Sequence, residues 1–183
     1  MRADNLPTGT VLGQDFCIER KLADGGMGTV YVATQRSTGQ RRAVKVFSPE
    51  VAVDDDLRRR FVQETRIGAR IASEHIATVI TAGVEGALPW LAMELLDGET
   101  LTQRVTRAGP FDAAMAREFF AQLGHALVEA HRAGVAHRDL KPDNIFIARS
   151  QRAGAPYTVK VLDFGIAKVS GALSRTTTSM SFG

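Results

Sequence analysis

A chain of 183 residues with 44% hydrophobic and 23% charged side chains can build one large domain or two small lobes around a real core, which excludes a disordered chain, and no apolar run in it is long enough to cross a bilayer. The net charge of +3 comes from 23 basic and 20 acidic residues that interleave along the chain, which indicates a mixed, solvated surface and not a nucleic-acid footprint. One cysteine, Cys17, allows no intramolecular disulfide and no thiolate metal site, and no apolar stretch follows Arg2 as a secretory leader would, so the cytoplasm is the default compartment.

Residues 1–11 read as an N-terminal extension. Three short segments rich in Val, Phe, Tyr and Ile follow at 16–23, 29–35 and 41–47, separated by turn chemistry at 24–28 and 37–40, and predict an antiparallel meander. Cys17 falls in the first of these strands as a small core hydrophobe. A helix is predicted over about residues 54–72, because three aspartates at 54–56 suit a helix N-terminus and Phe61, Glu64 and Ile67 continue its course. Two more strands, at 78–84 and 88–95 with a turn at 85–87, complete a five-stranded antiparallel sheet. Beyond Asp97 and Gly98 the pattern changes: Phe119, Leu123, Ala126, Leu127 and Ala130 recur at helical spacing, which predicts a helix over 111–131 with one buried face. Residues 148–157 read as a polar, basic loop between two short apolar strands, and 170–183 as a Ser/Thr/Gly-rich tail. Strands first and helix second make an α+β chain of two lobes, 12–96 and 97–183. The join at Met93-Glu94-Leu95-Leu96-Asp97-Gly98 is a candidate hinge, and the crevice beside it a candidate ligand site.

The strongest chemical signal is His137-Arg138-Asp139-Leu140-Lys141-Pro142-Asp143-Asn144, followed nineteen residues after Asn144 by Asp163-Phe164-Gly165. Taken singly, each short motif is more often a turn; eight ordered positions and a second motif, each at a strand end, form a constellation. Phosphoryl transfer asks a protein mainly for positioning and charge neutralisation, hence for carboxylate and amide oxygens to hold Mg²⁺ and an acceptor for a hydroxyl proton. Asp163 and Asn144 can supply the metal ligands, and Asp139 the acceptor.

A second signal is Leu22-Ala23-Asp24-Gly25-Gly26-Met27-Gly28-Thr29-Val30 between two strands, where glycines let backbone N–H groups approach phosphate oxygens, although such a stretch alone is more commonly a hairpin turn. The third is Ala43-Val44-Lys45. An apolar strand that turns one lysine inward needs a partner for it, and Glu64 on the next helix is well placed.

These motifs resemble those of the protein kinase superfamily, closest to the bacterial eukaryotic-like serine/threonine kinases, and the resemblance covers residues 12–183. His137 to Asn144 matches the catalytic loop, Asp163-Phe164-Gly165 the metal-binding motif, and Ala43-Val44-Lys45 the third strand. Ala23 stands where the family's first loop glycine belongs, an intrusion of one methyl group. The resemblance implies a bilobal fold with a partial, mostly helical second lobe. It also implies ATP and Mg²⁺ as cofactors, and Ser/Thr hydroxyls of proteins as substrates, with Lys141 marking that choice beside Asp139. By position, Lys45 paired with Glu64 would hold the α and β phosphates. Leu22, Val30, Ala43 and Phe146 would sandwich the adenine, Met93 would be the gatekeeper, and the Glu94 carbonyl and Leu96 amide would bind its edge. Arg138 would pair with a phosphorylated activation segment, for which Ser174, Thr176, Thr177, Thr178 and Ser179 are the candidate acceptors.

No Ala-Pro-Glu motif follows Asp163 before Gly183, so the catalytic domain is expected to be incomplete here and weak in transfer by itself. Two other readings stand beside the kinase: a nucleotide-binding remnant or scaffold without transferase activity, and a small-molecule phosphotransferase of related fold, against which the Arg138 to Asn144 run argues.

Overall fold

The computed structural model describes residues 5–25, 28–48, 61, 63, 65, 71–150 and 156–164. They fall into two units, one built on strands β1 to β6 and the other on residues 71–77 together with the chain from Leu96 onward.

In the first unit β1 (Val11–Leu12), β2 (Phe16–Gly25), β3 (Gly28–Gln35), β4 (Arg41–Phe47), β5 (Val79–Glu85) and β6 (Leu88–Glu94) form one antiparallel sheet in the order β1-β2-β3-β4-β6-β5. The period-two alternation of side chains sends two different sets to its two faces. One face carries Phe16, Ile18, Tyr31, Val44, Val46 and Trp90 into a single core, closed by Leu6 and Leu12 from the chain's beginning. The Leu6 amide donates to the Tyr31 hydroxyl at 3.0 Å, so residues expected to be a mere extension are part of this core. Trp90 is 4% exposed and lies 5.5 Å from Phe16. Its indole is seated where Gly13 and Gly83 leave room: a Cβ on either would come within 2.7 Å of the ring. Burying a side chain of this kind contributes about 1.5–3 kcal/mol. The opposite face presents Val32, Ala43, Lys45, Phe47, Leu91 and Met93. Phe47 is fully buried and meets Phe61 edge to face at 5.1 Å.

The strand expectations hold, with β4 matching at both ends, and the sheet gains a sixth strand, the two-residue β1. Phe61, Gln63 and Thr65 are helical, and the Thr65 hydroxyl donates to the Phe61 carbonyl at 2.8 Å. Ile71 and Ala72 already lie beyond that helix, while its beginning and Glu64 fall outside the described residues.

The second unit opens with β7 (Gly98–Thr100) and α1 (Leu101–Ala108), then α2 (Ala113–Arg132), a 3₁₀ turn (Pro142–Asn144), β8 (Ile145–Ala148) and β9 (Thr158–Val161). The three strands pair antiparallel in the order β7-β8-β9. Helix α2 starts where Asp112 accepts the Met115 amide at 2.8 Å and buries Phe119, Gln122, Leu123, Ala126 and Ala130 along one stripe. Tyr157 fixes it to the start of β9: its hydroxyl donates to the Met115 carbonyl at 2.8 Å and its ring stacks on Phe111. Burial pushes the Tyr157 phenol above its ordinary pKa. No helix among the described residues is long and apolar enough to cross a membrane.

Helix α1 was not expected, because it has no buried residue and so no apolar stripe. A reciprocal cap holds it: the Gln103 amide donates to the Thr100 hydroxyl at 3.2 Å, and the Thr100 amide to the Gln103 side chain at 2.9 Å. Losing such a cap costs about 1 kcal/mol. Thr100→Ala is therefore expected to lower the midpoint of thermal unfolding by about 2–4 °C, as read by calorimetry.

Candidate active site

The first unit holds the glycine-rich turn and Lys45. Strands β2 and β3 run together to the pair Gly25 and Gly28; Gly26 and Met27 between them lie outside the described residues. The two described glycines differ in kind. At Gly28, with φ of +150°, a Cβ would sit 2.1 Å from the Val46 carbonyl oxygen, so β4 itself demands glycine there. At Gly25 a Cβ would stand 3.5 Å from the Gly28 carbonyl oxygen, an ordinary van der Waals contact and the one it meets among the described residues.

Ala23 pairs with Val30 within the β2–β3 ladder, and its φ is not positive, so the methyl group that replaces the expected glycine brings no backbone strain. Leu22 sits at the irregularity between Lys21 and Ala23 and is 45% exposed. Asp24 ties the turn together, accepting from Thr29 Oγ1 at 3.1 Å and pairing with Lys21 at 2.6 Å. Its carboxyl is held below the ordinary value first by the Lys21 bond and further by Thr29. Lys45 is opposite Val30 on one side and Leu91 on the other, and Ala43 is opposite Met93, which brings Val30, Ala43, Lys45 and Met93 onto one face. The Lys45 ammonium lies 5.2 Å from the Phe47 ring centroid. Glu94 ends β6, with its carboxylate accepting the Thr78 amide at 2.7 Å.

The second unit holds Leu96, Phe146, the loop from His137 to Asn144, and Asp163. Phe146 lies in β8 between Thr100 and Lys160. Asn144 is 8% exposed and closes the 3₁₀ turn, and its side-chain nitrogen donates to the Asp139 carbonyl at 2.8 Å and to Asp139 Oδ2 at 3.1 Å. Lys141 Nζ approaches the same Oδ2 at 2.9 Å, so Oδ1 takes no bond from the described residues. The Lys141 ammonium, against an opposing desolvation and with further help from Asn144, holds the Asp139 carboxyl below its ordinary value, and Asp139 raises the Lys141 pKa in turn. A depressed carboxyl adds stability above its unfolded pKa and loses it as pH falls through the folded one. Both side chains are more than a third exposed, so solvent screens the pair and that stability is small.

His137 joins the loop to the strand that precedes Asp163. Its Nε2 donates to the Leu162 carbonyl at 2.7 Å and its Nδ1 accepts the Asp139 amide at 3.3 Å, which is the full bonding of the Nε2–H tautomer. The Phe164 ring, 6% exposed, stands edge-on to the imidazole at 4.7 Å. The Leu162 amide donates to the Asn144 carbonyl at 2.9 Å. Arg138 and Asp163 take φ of 64° and 59°, a left-handed conformation that costs a non-glycine residue about 1 kcal/mol or more and persists where surrounding bonds over-determine it. The sequence motif named these residues, but the part His137 plays in joining them is visible only in the structure.

The donor chemistry fits Mg²⁺. With the Asn144 nitrogen committed to Asp139, its Oδ1 is the end turned elsewhere, and Asp163 offers a second hard oxygen. No group of three His, Cys, Asp or Glu among the described residues could hold a metal ion. Magnesium commonly takes one or two protein oxygens and completes its octahedron with phosphate oxygens and water. Glu64, Gly165, Ser174, Thr176, Thr177, Thr178 and Ser179 lie outside the described residues.

Such a fold and such a loop are those of the protein kinase class. The chain belongs to the protein kinase domain family, whose model matches residues 16–182, and it falls among the bacterial eukaryotic-like serine/threonine kinases. It is 41% identical over 157 residues to the serine/threonine-protein kinase Pkn1 of Myxococcus xanthus, a match over 86% of this chain and 22% of that protein. To PknA of Mycobacterium tuberculosis it is 38% identical over 180 residues, 96% of this chain and 40% of that one. Among solved structures, the kinase domain of M. tuberculosis PknI matches with a TM-score of 0.77 at 30% identity, over 88% of this chain and 62% of that chain. Rad53 residues 1–466 in complex with AMP-PNP match with a TM-score of 0.72 at 30% identity, over 85% of this chain and 40% of that one. The chain thus spans two fifths or less of these two curated relatives and under two thirds of the PknI domain.

The contrast between the two glycines is open to test. Gly28→Ala is expected to destabilise the protein by about 2 kcal/mol or more, through the clash with β4. Gly25→Ala should leave the unfolding midpoint within about 1 °C, the added methyl making an ordinary contact with the described residues. Calorimetry on the two variants decides.

Proposed function

We propose that the chain binds Mg·ATP and belongs to an enzyme that passes the terminal phosphoryl group to serine or threonine hydroxyls of proteins. The observation that carries this reading is Asp139: an ionised carboxylate with Oδ2 occupied by Lys141 and Asn144 and Oδ1 left to receive a proton. The names of Pkn1 and PknA and the AMP-PNP in the Rad53 structure support it.

In this reading residues 12–96 are the small lobe and 97–183 the large one, although residues 71–77 and Leu96 group with the second unit. Lys45, with Glu64, steadies the α and β phosphates while backbone N–H groups of the glycine turn lie along them. Leu22, Val30, Ala43 and Phe146 would sandwich the adenine, Met93 would be the gatekeeper, and the Glu94 carbonyl and Leu96 amide would meet its edge. Asn144 Oδ1 and Asp163 hold Mg²⁺, which when bound neutralises charge on the transferring phosphoryl group. The substrate hydroxyl is oriented by Asp139 Oδ1, which accepts its proton, and Lys141 beside it balances charge near the transferred group. A depressed pKa makes Asp139 a weak base. That suffices if the transition state is loose and the proton leaves late. Phosphate acceptors in this chain itself would be Ser174, Thr176, Thr177, Thr178 or Ser179, with Arg138 pairing with the product.

Mg·ATP should raise the unfolding temperature of the chain, as a ligand that binds only the folded form must. Asp139→Asn is expected to keep that shift and, in the protein at its native length, to lower kcat by about two or more orders of magnitude. Asp163→Asn should lose the Mg²⁺-dependent part of binding as well. No shift with either Mg·ATP or Mg·ADP at millimolar concentration would sink the nucleotide reading. A catalytically competent Asp139→Asn would sink the assignment of the proton acceptor.

The pH profile gives an independent check. Since Lys141 is the first cause of the depressed Asp139 pKa, Lys141→Met should move the acid limb of kcat to higher pH. An unmoved acid limb would mean that another group sets it.

A further inference from the structure

Strand β9 is the last regular element before Asp163, and it lies at the edge of its sheet, with β8 on one side and, on the other, only a parallel bridge from Val161 to Ile76 among the described residues. The backbone groups of Val159 and Val161 that turn away from β8 are buried, both residues being 0% exposed, and all four have partners. Val161 is served by main chain: its amide donates to the His75 carbonyl at 2.9 Å and its carbonyl accepts the Ala77 amide at 2.9 Å. Val159 is served by two side chains. Gln122 Oε1, from the buried stripe of α2, accepts the Val159 amide at 2.7 Å, and His75 Nδ1 lies 3.1 Å from the Val159 carbonyl, where it donates.

A buried Gln amide is a costly choice for a helix stripe that is otherwise apolar. Gln122 is itself aimed by a second bond, from its Nε2 to Glu118 Oε1 at 2.8 Å, which fixes which end of the amide faces Val159. Two residues beyond Val161 the chain takes the left-handed turn at Asp163, held by the Leu162 bonds to Asn144 and His137. The geometry points to Gln122, with His75, as a positioning residue for Asp163: by pinning Val159 it sets where β9 delivers the carboxylate relative to Asn144. This rests on the reading of Asp163 and Asn144 as the Mg²⁺ ligands. It adds that a side chain on α2, outside every motif of the sequence, sets how well they bind the ion.

The test compares nucleotide binding with and without the metal, by calorimetry on the whole chain well below its unfolding temperature. Gln122→Met keeps the volume and removes the acceptor, leaving a buried donor unpaired. It is expected to raise the Mg²⁺ concentration that half-saturates the metal-dependent part of ADP binding about three- to tenfold. ADP binding in EDTA should stay within about twofold, a split that a general loss of stability would not produce.

The exchange pair Glu118→Gln with Gln122→Glu restores an acceptor for Val159 and a donor to aim it, and should return the Mg²⁺ dependence to that of the parent. In the protein free of nucleotide and metal, hydrogen exchange at the Val159 and Val161 amides should quicken in Gln122→Met and recover in the exchange pair. An unchanged Mg²⁺ dependence in Gln122→Met, or equal weakening with and without metal, overturns the proposal. Should Gln122→Met fail to fold, the exchange pair decides alone: it must fold and bind as the parent does, and its failure also overturns the proposal. A parent chain whose ADP binding ignores Mg²⁺ has a different signature, and there the metal reading itself falls and takes this inference with it.

Discussion

A strand at the edge of a sheet carries a row of backbone donors and acceptors, and once it is buried each of them must find a partner. In the second unit that constraint falls on β9, the strand that runs into Asp163. Its solution recruits three separate stretches of chain: residues 75–77 along Val161, α2 through Gln122, and the 137–144 loop at Leu162. The helix, the returning segment and the loop are therefore not independently placed. Each is positioned by the same few peptide groups, and the chemistry-bearing side chains are carried along with them.

The loop from His137 to Asn144 follows the same logic on a smaller scale. His137 uses both ring nitrogens on main chain, and Asn144 uses its nitrogen on Asp139, so two buried polar side chains serve to hold backbone and to orient a carboxylate. Among the described residues the Asp139 carboxylate is bonded on Oδ2 alone, by Lys141 and Asn144. A carboxylate held below its ordinary pKa is the weaker base, which suits the proposed reaction if the hydroxyl must be aimed more than activated.

Much of this was legible in the sequence where local signals are strong. The strand at 41–47 announces itself by Ala43, Val44, Val46 and Phe47 between charged ends, and the motif residues stand at the strand ends where the pattern puts them. Elements without an apolar period were invisible. Helix α1 buries nothing and is betrayed only by Thr100 and Gln103 three apart; β1 is two residues long, and β7 is three residues held by pairing with β8. Leu6 read as a tail because its burial depends on Tyr31, distant in sequence. Gln122 went unnoticed for a similar reason: on a helical wheel it looks like a polar residue misplaced on the apolar face, and only the neighbouring strand explains it. Gly28 carried a loop signal and proved also to be a packing requirement of β4, a distinction that spacing alone does not make.

Trp90 is the chain's single tryptophan, and its indole lies in the core of the first unit with its Nε1 lacking any hydrogen-bond partner among the described residues. An indole in so apolar a seat emits at short wavelength, and exposure to water shifts the emission to the red. The two tyrosines divide evenly, Tyr31 in the first unit and Tyr157 in the second. Intrinsic fluorescence excited at the red edge thus reports on one half of the molecule and is blind to the other. An unfolding curve followed that way, set beside one followed by circular dichroism, reads directly whether the two halves melt together or in turn.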